Sequence, residues 1–175
     1  MAQKTIPSGA RRLAKTDYRN LMRRRIRRIL LICSSYDAYT LEEDGRLEVQ
    51  LNHEYMELNL SNPPSFTRVS SSTEALELLQ GENDFDLVIS MFNVGDLDVF
   101  HFSKQLKALH PEIPFVLLTN FSKDIYRRIE GEDRSAIDYI FSWHGNADLI
   151  LAIVKLIEDR MNADDDILGV GVQSI

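Results

Sequence analysis

Leu87-Val88-Ile89-Ser90-Met91-Phe92 is a short, almost unbroken apolar run between two polar stretches. A run of that length reads as a strand buried on both faces, because a half-solvated strand would alternate. Similar runs lie on either side. Ile29-Leu30-Leu31-Ile32-Cys33 precedes it, Phe115-Val116-Leu117-Leu118-Thr119 follows, and Ala136-Ile137-Asp138-Tyr139-Ile140-Phe141 comes last. Phe66-Thr67-Arg68-Val69-Ser70 makes a fifth. Helical stretches separate them. Ser34 to Ser61 is helical with a break at Gly45, and its stripe is Leu47, Leu51, Tyr55 and Leu58. Ser71-Ser72-Thr73-Glu74 caps a helix carried by Ala75, Leu76, Leu78 and Leu79. Phe100–Leu109, Ser122 to about Glu130 and Asp148–Met161 supply three more. Strands alternating with helices predict a parallel sheet covered on both faces, a flavodoxin-like doubly wound α/β fold of order 2-1-3-4-5.

Composition narrows the function. The chain has 175 residues, 44% hydrophobic and 27% charged, which is a globular domain with short appendages. No run of about 18 apolar residues occurs, so no membrane span is expected, and nothing resembles a secretory leader. The single cysteine, Cys33, excludes a disulfide framework and makes a reducing cytoplasm the default compartment. Charge is divided. Residues 1–28 hold ten basic side chains against Asp17, a net +9, whereas the rest holds 10 basic and 26 acidic, a net −16. Within the arm of residues 1–25, Leu13, Ala14, Tyr18, Leu21 and Met22 fall on one helical face, predicting an amphipathic helix over roughly 10–25. That stripe needs a cover, either its own domain or another chain. A nucleic-acid-binding arm is the weaker alternative: only Tyr18 supplies an aromatic, and the acidic body repels a polyanion.

In a doubly wound sheet the functional crevice lies at the carboxyl ends of the strands. Those ends read Cys33-Ser34-Ser35, Met91 to Asp98, Thr119-Asn120 and Ser142-Trp143-His144. None carries a Gly-rich phosphate loop, so no nucleotide site and no cofactor is expected.

Over about residues 26–160 these segments, in order, resemble the receiver domain of bacterial two-component response regulators. Ile29 to Cys33 resembles the first strand, Leu87 to Asp98 the third strand and its loop, Ile113 to Thr119 the fourth strand with its hydroxyl residue, and Asp138 to Ser142 the fifth. The resemblance implies a signalling role. In that family an aspartate ending strand 3 accepts a phosphoryl group, and two acids after strand 1 help to hold magnesium. A lysine ending strand 5 neutralises the phosphoryl oxygens.

Carried over by position, the acceptor falls on Met91, whose thioether forms no acyl phosphate. The acid pair falls on Cys33 and Ser34, or on Ser34 and Ser35 if the register slips by one, and neither choice supplies a carboxylate; the lysine falls on Ser142, followed by Trp143 in place of proline. The coupling pair, Thr119 and Tyr139, is retained. This pattern resembles a degenerate, pseudo-receiver domain: not an enzyme in these 175 residues, with no catalytic residue and no metal site. Asp96 and Asp98 after strand 3 and Asp37 after strand 1 offer at most a weak cation site, whereas Asp84 and Asp86 begin strand 3, with Asp86 about 17 Å from Met91. Cys33 reads as an inert buried thiol and His144 as structural or solvent-facing.

The expected activity is therefore contact: a regulatory module in signal transduction acting through a protein partner or a homodimer. Leu151 and Val154 widen the apolar arc of the last helix beyond Leu149, Ile150, Ile153, Leu156 and Ile157. With Tyr18 and Leu21 they are the candidates for the partner face. Residues 162–175, with Asp164-Asp165-Asp166 ahead of Ile167-Leu168, read as an acidic linker and the start of a following segment. The linker and the long Ser34–Ser61 insertion resemble the receiver-like N-terminal region of some bacterial phosphoenolpyruvate synthase or pyruvate phosphate dikinase-like proteins. That resemblance implies downstream domains as partners.

Overall fold

The computed structural model describes residues 24–43, 46–57, 62–81, 84–95, 98–120, 122–145 and 147–170. The arm's expected helix, with Tyr18 and Leu21, lies outside them apart from residues 24–25, which are not helical. The elements run β1 (Arg28–Ile32), α1 (Ser35–Glu43), α2 (Arg46–Glu57), β2 (Ser65–Val69), α3 (Ser72–Gln80), β3 (Leu87–Met91), α4 (Val99–Leu109), β4 (Phe115–Thr119), α5 (Lys123–Gly131), β5 (Tyr139–Ser142) and α6 (Ala147–Val170). All four strand pairs are parallel and the order is β2-β1-β3-β4-β5, as the apolar runs required. Among the described residues no helix is long and apolar enough to cross a membrane.

Burial explains which strands are plain in the sequence. Every residue of β3 and β4 is buried, as are four of the five in β1, so these strands contain almost nothing but apolar side chains. The edge strands β2 and β5 are only partly covered. Charged side chains set where strands begin. Asp86 Oδ2 accepts from the N–H groups of Arg27 (2.7 Å) and Arg28 (2.9 Å), tying the starts of β1 and β3. Asp138 Oδ2 accepts from Phe115 N–H at 2.7 Å and meets Lys107 Nζ at 2.7 Å, tying the starts of β4 and β5. Asp138 is thus a brace ahead of the strand, and β5 starts at Tyr139, three residues later than read. Helix starts are capped by Ser71, Asp98 and Ser122, each accepting backbone N–H groups of the first turn.

Two expectations change at α6. The helix continues to Val170, so residues 162–170 are its last turns rather than a linker. Leu151 and Val154 are 7% and 0% exposed and belong to the core. They offer no partner face in this fold. The broad arc has a physical cause: α6 packs against α2 as well as the core, and two contacts demand a wider apolar surface than one.

At the α2–α6 junction sits Glu158, 3% exposed. It lies four residues after Val154, on the buried stripe. Its Oε1 accepts from Ile26 N–H at 3.0 Å. Burial pushes the Glu158 pKa up, against the pull of the Ile26 N–H and the Arg25 charge. The Tyr55 hydroxyl of α2 is buried without a well-formed hydrogen bond, and burial plus the Glu158 charge push its pKa up too. Asn162, one turn further on, accepts from Arg24 N–H (2.9 Å) and donates to Arg24 O (3.1 Å).

The sign of the pH effect follows. A carboxyl whose folded pKa is raised binds its proton more tightly when folded, so stability falls as pH climbs from the unfolded value through the folded one. Glu158→Gln keeps an oxygen for Ile26 N–H and removes the buried charge. Thermal midpoints recorded from acid to neutral pH should show a flatter decline for Glu158→Gln, and a midpoint at neutral pH no lower than that of the unchanged chain. Matching slopes in the two proteins would refute this. Glu158→Ala orphans the Ile26 N–H and should cost about 1–3 kcal/mol.

Candidate functional site

The carboxyl ends of the strands converge as the topology requires. Met91 closes β3 beside Leu118 of β4, and Thr119 of β4 stands opposite Ser142 of β5. Met91, Thr119 and the residues after β5 line a cleft of about 170 Å³. Its lining is apolar at Met91, Phe92, Leu118 and Trp143 and polar at Asp37, Asn93, Thr119, Asn120 and His144, with Asn93, Asn120 and His144 exposed at the rim and Thr119 buried.

The four positions assigned to lost chemistry each have an internal role. Met91 is 4% exposed and packs in the core. Cys33 is 2% exposed, and its N–H extends the sheet ladder to Val69 O at 3.1 Å. Ser34 opens α1: its Oγ donates to Asp37 Oδ2 at 2.6 Å and accepts from Asp37 N–H at 3.2 Å. The second of these satisfies the Asp37 N–H, an orphan donor of the helix start, and the first fixes the hydroxyl that accepts it. Ser142 Oγ is hydrogen-bonded to His144 Nε2 at 2.8 Å. Gly145 follows with φ +78, a left-handed turn that glycine adopts without Cβ strain and that carries the chain from β5 toward α6.

Thr119 and Tyr139 are engaged with different partners. The Thr119 hydroxyl is buried and makes a long contact, 3.5 Å, to Asn120 O. Tyr139 stands opposite Val116, three residues back along the sheet. Its hydroxyl accepts from Arg160 Nη1 at 3.1 Å, the Arg160 guanidinium lies 5.5 Å from its ring centre, and it stacks on Phe141. Tyr139 is thereby held to α6.

The other acids are spent or distant. Asp98 caps α4 through Phe100 and His101 N–H groups. Asp84 and Asp86 lie at the opposite end of the sheet, with Arg28 within 4.0 Å of Asp84. Asp96 lies outside the described residues. Among the described residues no three His, Cys, Asp or Glu side chains are grouped to hold a metal. Magnesium prefers hard oxygen donors. A cleft with one carboxylate, Asp37, above a thioether does not fit it. Two features escaped the sequence reading: Asn93 on the rim and the buried Glu158. Only the latter carried a signal, its spacing from Val154.

No protein-family model matches the chain, and no curated protein matches it. Solved structures do. A response regulator receiver domain protein from Clostridium thermocellum is 16% identical over 79% of this chain and 98% of its own, with a TM-score of 0.56. A streptococcal structure described as a redox sensor of a family evolved from two-component response regulators is 18% identical over 80% of this chain and 54% of its own, with a TM-score of 0.60. The response regulator TrrA from Thermotoga maritima, in complex with Mg(2+)-BeF, is 20% identical over 74% of this chain and 97% of its own, with a TM-score of 0.53. These likenesses establish that the chain has the fold of response-regulator receiver domains.

Proposed function

We propose that this chain is a receiver-fold regulatory module that works by protein–protein contact and takes no phosphoryl group. The observation that carries the reading is Met91, a buried thioether where the fold's acceptor carboxylate would stand. The commitment of Ser34 and Ser142 to local hydrogen bonds supports it. With α6 packed against both the core and α2, and Tyr139 pinned by Arg160, such a domain has one resting arrangement and presents a fixed surface to its partner. Of the features behind the phosphoenolpyruvate synthase or dikinase-like resemblance, the two-helix excursion α1–α2 is the one that supports placement within a larger protein.

Incubation of the intact chain with acetyl phosphate and magnesium should leave its mass unchanged. Gain of one phosphate would overturn the proposal. A second reading, phospho-signalling through unconventional residues, draws on Asp37 and His144 facing the same cleft. Its mark is a magnesium-dependent change in the fluorescence of Trp143, and a flat titration counts against it.

A further inference from the structure

Seven large hydrophobic side chains are conspicuously exposed among the described residues, and four of them lie on the α1–α2 hairpin. Single exposed apolar residues are ordinary, but a concentration on one element marks a contact surface. On α2, Val49 is 66% exposed and Met56 77%. They are seven residues apart, hence two turns along one face, with exposed Glu48 and Glu57 beside them. On α1, Tyr36 and Tyr39 are 78% and 58% exposed.

We propose that residues 1–23 of the same chain dock on this hairpin, with Val49 and Met56 as the apolar seat and Glu48 and Glu57 as an anionic rim. Three observations select this occupant. The first is charge: residues 35–57 contain seven carboxylates against Arg46 alone, whereas residues 1–23 contain Lys4, Arg11, Arg12, Lys15, Arg19 and Arg23 against Asp17. Opposite charge steers and fixes such a contact. The second is position. Arg24 and Ile26 are bound to Asn162 and Glu158 at the α2–α6 junction, beside buried Tyr55. Met56 follows Tyr55 and points outward, so the arm departs next to its seat. The third is length. Leu13 to Met22 spaces its apolar residues at the helical period over about 15 Å, against about 18 Å for the twelve residues of α2. The seat expected at Leu151 and Val154 of α6 is closed, since both are buried. The inference is independent of whether the strand-end cleft is chemically inert.

Limited trypsin digestion of the full chain, read by intact mass, tests it. A docked arm shields Arg11, Arg12, Lys15 and Arg19. Replacing both Val49→Asp and Met56→Asp, at exposed positions where the fold itself loses little, should speed cleavage within the arm about tenfold. Leu21→Asp in the arm should do the same, and combining it with the hairpin pair should add nothing. Cleavage at the unchanged rate in either variant overturns the proposal. So does protection that rises with protein concentration, which would make a second copy the occupant. Protection that appears only when duplex DNA is added overturns it as well, in favour of a polyanion.

Discussion

Met91→Asp should cost the chain about 3–5 kcal/mol of unfolding free energy, the scale of an uncompensated buried charge. Met91 is 4% exposed, and among the described residues no lysine or arginine lines the cleft it borders. The new carboxylate would either lose its water without a partner or stay protonated, and both routes destabilise. Urea unfolding with and without magnesium separates the explanations. The loss should persist in magnesium, because Asp37 alone makes no cage. Recovery of the lost stability by the ion would show that the strand ends can assemble one after all, and would undermine the phosphate-free reading at its base.

The second large effect is expected at Phe102. It is 1% exposed on α4, with its ring centre 5.8 Å from that of Phe115, which is fully buried in β4. Phe102→Ala removes that packing and leaves a void the sheet cannot close, a loss of about 3–5 kcal/mol. Against a total stability of about 5–15 kcal/mol for a domain, that is about a fifth or more. Leu109 lies on the same helix but is 45% exposed, so Leu109→Ala should change the urea midpoint little. Equal losses at the two positions would mean that α4 is not seated on the sheet as described.

The same difference in burial explains how far the sequence could be read. Leu87–Met91 and Phe115–Thr119 are covered on both faces, so their order and parallel pairing were legible in the apolar runs. β5 was placed too early because an edge strand carries a weaker pattern, and because Ala136 and Asp138 belong to the turn and brace before it. The final helix was cut short at Met161, since three consecutive aspartates look like a linker, although the helix continues through them to Val170. Leu151 and Val154 looked surplus because the covering role of α2 is a matter of tertiary placement. At the strand ends, the gathering of Met91, Thr119 and Ser142 followed from topology alone. That Ser34 caps a helix, and that Tyr139 is tied to Arg160, depended on helix starts and rotamers that spacing does not encode.

The pair of hydrogen bonds between Arg24 and Asn162 has a wider consequence. It ties the backbone ahead of β1 to the closing helix through one side-chain amide. A pull on the chain at Arg24 is therefore shared with α6 before it reaches the sheet.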